Sequence, residues 1–190
     1  MKELSLNILD IVENSAKAEA KNIGIALHEE NSILTLTITD DGKGMTAKTL
    51  EGVVDPFYTT RTTRKVGLGI PLLILAAEQT GGNVKIVSKH IEEHPDAHGT
   101  IVTATLHRDH IDSPPLGDVI ATVVTVIQGH PDTDLLYTHT ANGISVSLDT
   151  KEMRQILGDI PLSSPEILVW IEDNLREQYG IPEHKSSYLL

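Results

Sequence analysis

Asp10 and Asn14 stand four residues apart in Leu9-Asp10-Ile11-Val12-Glu13-Asn14-Ser15, a spacing that stacks two side chains on one face of a helix. Asparagine offers a neutral oxygen to a hard divalent cation, and a carboxylate one turn away can orient or deprotonate a water. The same pair also suits an ordinary solvated helix face. Asp40 ends the alternating run Leu34, Leu36, Ile38, in phase with it, so its carboxylate is aimed at the buried side of a sheet. A carboxylate there needs hydrogen-bond partners. It is either a capped turn, since Asp40-Asp41-Gly42 is good turn chemistry, or an acceptor for a ligand donor such as an adenine amino group.

Two glycine pairs follow. Gly42 and Gly44 lie in Asp40-Asp41-Gly42-Lys43-Gly44, and Gly67-Leu68-Gly69 precedes an apolar run. Glycine lets backbone approach a ligand closely, and a helix N-terminus offers free N–H groups to phosphate. Either pair alone is also a common turn. Between them Thr59, Thr60, Arg61, Thr62, Thr63, Arg64 and Lys65 suit a triphosphate and equally suit a solvated loop. His90, His94 and His98 recur every four residues, but Pro95 interrupts any helix there, so they read as a polar loop rather than a metal site. His107-Arg108-Asp109-His110 reads as a solvated strand end rather than a phosphoryl acceptor.

The elements that must position these groups are legible from periodicity. Residues 4–20 carry a broad apolar arc at helical spacing, with Asp10, Asn14 and Lys17 on a narrow polar stripe at its edge. Asn22 to His28 and Ser32 to Asp40 alternate as half-buried strands. A short helix, capped by Thr46, is expected over 46–53, a loop over 55–66 and an apolar helix over 70–79, with Pro71 in its first turn. Val84 to Ser88 and Thr100 to Leu106 are strands. Ser113-Pro114-Pro115 is the best linker. Beyond it the pattern is a helix over 116–128, strands over 134–140 and 144–148 joined by the hairpin signal Asn142-Gly143, and helices over 151–157 and 165–179, the last opened by Ser164-Pro165-Glu166.

Composition limits the function classes. The chain has 190 residues, 39% hydrophobic, enough for a sizeable core. Its longest apolar run, Ile70 to Ala77, is far short of the ~20 residues of a spanning helix, and the opening Met1-Lys2-Glu3-Leu4-Ser5 does not read as a secretory signal. The expectation is a cytoplasmic protein without a membrane partner. No cysteine is present, which excludes disulfides and thiolate metal sites. A net charge of −12 and few aromatic residues argue against nucleic acid as a partner while leaving room for a small anion site.

The ordered combination is more specific than its parts. It runs from Asn14 on a helix, through a strand ending in Asp40-x-Gly42-x-Gly44 and the loop Pro56-Phe57-Tyr58-Thr59-Thr60-Arg61, to Gly67-Leu68-Gly69-Ile70 before an apolar helix, Gly81-Gly82 before a strand and Gly99-Thr100 opening another. Over residues 1–110 this order resembles the Bergerat-fold (GHKL) ATPases. Asp55 to Arg61 followed by Gly67 to Ile70, with Ile11 to Ala18 similar to the family's N box, looks most like the catalytic ATP-binding domain of histidine kinases.

The resemblance implies an α/β two-layer sandwich, with helices on one face of a mixed, mostly antiparallel sheet. It also implies ATP and Mg²⁺ as ligands. By that likeness Asn14 ligates Mg²⁺, Lys17 lies near the phosphates, and Asp40 accepts from the adenine amino group with Gly42 and Gly44 beneath the base. Thr59, Thr60, Arg61, Arg64 and Lys65 belong to a lid. Gly67, Leu68 and Gly69 meet the phosphates, Thr100 sits at the nucleotide floor, and Asp10 is the catalytic carboxylate. Many members carry Glu where this chain has Asp10, which is one methylene shorter. A sensor kinase also places a long helical hairpin with its phosphoaccepting histidine upstream of the N box, and only a few residues precede it here. The expectations are therefore an ATP-binding domain over 1–110 and a small α+β interaction or oligomerisation module over 116–190. The first functional reading is an ATP-dependent kinase acting on a separate protein partner, or an ATPase. The alternative is a non-catalytic, ATP-gated regulator, with homo-oligomerisation open in either case.

Overall fold

Apolar side chains at every second position make the strands, and the row each strand turns inward decides where the helices sit. The computed structural model describes residues 3–54, 69–141 and 143–181. In chain order its elements are α1 (Leu4–Lys17), β1 (Asn22–Glu30), β2 (Ile33–Asp40), α2 (Ala47–Val54), α3 (Gly69–Gln79), β3 (Asn83–Lys89) and β4 (Gly99–His107). There follow α4 (Val119–Gly129), β5 (Asp134–Ala141), β6 (Ile144–Asp149), α5 (Thr150–Leu157) and α6 (Pro165–Gln178). The strands form one six-stranded sheet in the order β3-β4-β2-β1-β5-β6. Every pairing is antiparallel except β1 with β5, which is parallel in the register Ile23 to Leu135 and Ile25 to Tyr137. The sheet is therefore mixed, as the family resemblance implied, and the strands beyond the proline linker continue it.

One face of the sheet is buried. Ile23, Ile25 and Leu27 on β1, Leu34, Leu36 and Ile38 on β2, Val102, Ala104 and Leu106 on β4, Leu135 and Tyr137 on β5, and Val146 and Leu148 on β6 are all almost inaccessible. Each of the valine, leucine and isoleucine side chains contributes about 1.5–3 kcal/mol when removed from water. The opposite row of β2 is threonine, half-buried at Thr35, Thr37 and Thr39. Over the buried face α1 lays Leu4, Ile8, Ile11 and Val12, packing against α3 and α4, while α6 packs on α4 and β6. A 2.8 Å contact between Glu13 Oε1 on α1 and His130 Nε2 at the end of α4 ties the two helices.

A polar cluster closes the far end of this core. The Tyr137 hydroxyl lies 2.5 Å from the Tyr179 hydroxyl, which lies 2.7 Å from His139 Nδ1. His139 Nε2 is 3.6 Å from Glu29 Oε1. Burial pushes both phenols up and pushes the His139 imidazole down, with Glu29 opposing the shift at His139 and Arg108 adding to it.

Two helices differ in extent from their periodicity. Helix α1 stops at Lys17 rather than running to residue 20, because the chain turns through a left-handed residue, Glu19, at φ 63°. The Ala20 N–H donates to the Ser15 carbonyl and the Glu19 N–H to the Ala16 carbonyl, which is a Schellman ending with glutamate where glycine is usual. Lys43 Nζ holds Glu19 at 2.6 Å and keeps its carboxyl below the ordinary range. Helix α4 starts at Val119 rather than near Leu116. Gly117 has φ 78°, the Leu116 carbonyl is taken by the Ser5 N–H, and the Asp118 carboxylate caps the helix by accepting from Ala121 N–H. With the Pro115 carbonyl accepting from the Leu4 N–H, the linker is pinned to the start of α1.

Candidate functional site

Asp40 ends β2 with its side chain on the inner face, below the last turn of α1. Its Oδ2 accepts from Ser15 Oγ at 2.7 Å and its Oδ1 accepts from the Gly42 N–H at 3.0 Å. The carboxylate is thus both the turn acceptor and a group fixed at the wall of a cavity of about 250 Å³. Ile11, Ile38, Met45, Val53, Ile70 and Val102 supply apolar lining, while Asn14, Ser15, Lys17, Asp40, Thr49 and Thr100 bring polar groups to it. An apolar slot on which polar groups converge is the usual make-up of a small-ligand site. Asp41, one residue on, is committed to structure. Its carboxylate accepts from Lys21 N–H, Asn22 N–H and Asn22 Nδ2 at 2.6–2.8 Å. Burial acts to raise its pKa, but these bonds outweigh that and hold it below the ordinary carboxylate value.

The glycine turn after β2 is clamped from both sides. The Lys43 N–H donates to the Ala18 carbonyl, and the Ile91 N–H donates to the Lys43 carbonyl. His98 Nδ1 lies 2.7 Å from the Gly42 carbonyl. A Cβ on Gly42 would stand 2.9 Å from Ala18 Cβ, and one on Gly44, at φ 67°, would stand 2.0 Å from the Lys89 carbonyl oxygen. Backbone fills this cradle where side chains would otherwise reach. Opposite Asp40 on β4, Thr100 shares a 2.9 Å hydroxyl contact with Ser88, whose hydroxyl also accepts from Met45 N–H.

The structure brings Asn14, Lys17, Asp40, Gly44 and Thr100 to one cavity, with Gly42 bonded to Asp40 beside it. Asn14 is half-buried and its Nδ2 has no partner among the described residues. Asp10 is set apart. It is exposed and does not line the cavity, lying one turn before Asn14 against the opening of α3, where a Cβ on Gly69 would stand 2.6 Å from Asp10 Cβ. Thr59, Thr60, Arg61, Arg64, Lys65, Gly67 and Leu68 lie outside the described residues. Among the described residues no group of three His, Asp or Glu is placed to hold a metal ion. Sequence reasoning did not single out Ser15, Met45, Thr49 or Val53. Only Ser15 carried a signal, a hydroxyl within an otherwise apolar helical arc.

Residues 2–110 match the family described as histidine kinase-, DNA gyrase B-, and HSP90-like ATPase. Sensor histidine kinase ZraS of Escherichia coli O157:H7 is 29% identical over 83 residues, which is 43% of this chain and 18% of that protein. Sporulation kinase C of Bacillus subtilis (strain 168) is 27% identical over 89 residues, 46% of this chain and 21% of that protein. The chain thus spans about a fifth of the length of these curated relatives. In fold it is similar to the Aquifex aeolicus MutL ATPase domain complexed with ADP, at a TM-score of 0.52 and 13% identity. That likeness covers 82% of this chain and 68% of the other, so it reaches past residue 110 into the later elements. The match spans more than half of the chain, and the chain therefore belongs to the histidine kinase-, DNA gyrase B-, and HSP90-like ATPase family.

Proposed function

We propose that this protein binds ATP with Mg²⁺ in the cavity beside Asp40 and transfers phosphate to a separate protein, or hydrolyses the nucleotide. The observation that carries the reading is the Asp40 carboxylate, held by Ser15 and the Gly42 N–H at the mouth of an apolar slot. Two of its lone-pair directions are taken, and the remainder suit one amino donor on a flat ring. Gly42 and Gly44 let the turn pack closely beside that ring, since a Cβ on them would strike Ala18 or the Lys89 carbonyl, and the Thr100 hydroxyl closes the floor. Asn14, whose amide is half-buried without a partner among the described residues, fits a cation held by one protein oxygen together with phosphates and water, the usual mode for Mg²⁺. Lys17 and the N–H groups that open α3 next to Asp10 suit the phosphates. Mg²⁺, when bound, would neutralise phosphate charge, and positioning by these residues supplies the rest.

A second reading, an ATP-gated regulator that binds without turnover, is favoured by the exposed position of Asp10 outside the cavity. Calorimetry with ATP and GTP tests the common part, and the expected result is clear preference for ATP. Single-turnover assay with labelled ATP separates the readings. Released phosphate or a labelled co-incubated protein supports the enzyme, and tight binding with neither supports the regulator. Absence of ATP binding to the folded protein refutes both. None of the described helices is long and apolar enough to cross a membrane.

A further inference from the structure

The last two helices leave an apolar cleft that shares no lining residue with the nucleotide cavity. On α5, Met153, Ile156 and Leu157 fall three and four residues apart and form one stripe. On α6, Ile167 and Trp170 do the same. Together these five side chains line a cavity of about 310 Å³. Its edge is open to solvent: Ile156 is 85% exposed and Trp170 53%, with Ile160 and Val169 also more than half exposed. Scattered single apolar residues on a surface need no explanation, but a contiguous patch marks an interaction site.

Charge selects what covers it. One helical turn before Ile156 stands Glu152, and Asp159 follows three residues after it. Trp170 is flanked by Glu166 one turn before and Asp173 three residues after. Among the described residues, the cations of these helices are engaged elsewhere. Arg154 is bound to Asp134 at 2.9 Å and to the Thr133 carbonyl, and Arg176 to Glu172 at 2.8 Å. Lys151 lines a different pocket with Asp41 and Asp149. A second copy would set an acidic rim against an acidic rim, in a chain of net charge −12. We propose that the cleft between α5 and α6 docks a basic amphipathic helix of a partner protein. One large apolar side chain of that helix sits against Trp170 and Ile156, and its Lys or Arg residues meet Glu152, Asp159, Glu166 and Asp173. This is helix-in-groove recognition, with anchors at i, i+3 and i+4.

Trp170 is the sole tryptophan in the chain, so its emission reports this cleft alone. The full chain is titrated with two synthetic amphipathic helical peptides of equal length and identical leucine stripe, one with lysine and one with glutamate on the polar face. The lysine peptide is expected to give a saturable blue shift, and the glutamate peptide to bind at least tenfold more weakly. Ile156→Asp should abolish the shift although it makes the chain more acidic, which separates docking from general charge attraction. Ile156 is exposed, so the fold should survive, and an unchanged melting curve checks this. Glu166→Gln with Asp173→Asn should weaken the lysine peptide and flatten its salt dependence. No saturable shift, equal binding of both peptides, or parent-like binding by Ile156→Asp would each overturn the proposal. Two other outcomes reassign the cleft and also overturn it. A red shift in the free protein on removing residues 182–190 gives it to the chain's own terminal segment, and emission that varies with protein concentration gives it to a second copy. None of these results depends on nucleotide binding.

Discussion

Replacing Asp40 by asparagine isolates the chemistry of one atom. The amide keeps an oxygen for the Gly42 N–H, because turning its NH₂ that way would set donor against donor. Its NH₂ must then occupy the Oδ2 position, 2.7 Å from Ser15 Oγ. Ser15 can accept there while sending its own proton to the Ile11 carbonyl, already at 3.3 Å. The fold therefore exchanges two hydrogen bonds to a carboxylate for two to a neutral amide, a loss of about 1–2 kcal/mol, or roughly 2–8 °C in melting temperature for a chain of this size. Binding loses more. An adenine amino group approaching the same edge meets a donor instead of a carboxylate, and a hydrogen bond to a charged group is worth about 1.5–3 kcal/mol, or roughly ten- to a hundred-and-fiftyfold in Kd. The ATP-to-GTP preference should narrow as well, since a ring carbonyl can accept from the new amide. Isothermal calorimetry with ATP, GTP and adenosine, beside a melting curve, reads all of this. Unchanged ATP affinity and an unchanged ATP-to-GTP ratio in a folded Asp40→Asn protein would refute the adenine assignment.

Asn14→Ala should leave adenosine binding nearly intact and remove the gain in ATP affinity on adding Mg²⁺; equal Mg²⁺ enhancement in both proteins would place the cation elsewhere. Gly44→Ala should cost about 2 kcal/mol or more, because φ is 67° and the new Cβ would lie 2.0 Å from a carbonyl oxygen. Gly129→Ala at the end of α4, with nothing within 4 Å, should be neutral or slightly stabilising in the same melting experiment. His139 is 5% exposed and its pKa is pushed below 6.5, first by burial. The unfolded chain therefore takes up a proton that the folded chain resists, and stability should be full above about pH 6.5 and fall below it, by at most about 1.4 kcal/mol per pH unit. Urea titrations at several pH values should show this acid limb in the parent and a flatter one in His139→Gln; identical slopes would remove His139 as the cause.

Much of the site was legible because phase survives in a sequence. Asp40 follows Leu34, Leu36 and Ile38 at period two, and that alone puts its carboxylate on the inner face where Ser15 meets it. The same kind of arithmetic at a period of 3.6 residues put Asp10, Asn14 and Lys17 on one polar stripe of α1, and Asn14 and Lys17 line the cavity. What periodicity does not carry is partnership. Leu135 and Tyr137 announce an inward row on β5, but that row would look the same beside β6 alone, beside β1, or against another molecule. The parallel match of β5 to β1 depends on the path of the chain through α4. Local rules also failed where an uncommon residue filled a common role. Glu19 takes the left-handed position usually given to glycine, so nothing in the sequence marked the end of α1. The i,i+4 spacing gives the turn between Asp10 and Asn14 but not the packing around each, and of the two only Asn14 lines the slot, while Asp10 lies exposed beside Gly69.

The parallel seam between β1 and β5 has a consequence for how the protein is made. As the chain leaves the ribosome, β1 can pair with β2 almost at once, but its other edge stays bare until β5 emerges roughly a hundred residues later. For that interval the nascent chain carries an unpaired strand with Ile23, Ile25 and Leu27 on one side, the type of edge that recruits other chains. Growth of the sheet outward from its middle thus sets a kinetic limit. Yield should depend on how quickly translation delivers residues 134–141 and on chaperone cover until then, more than on the final stability of the folded state.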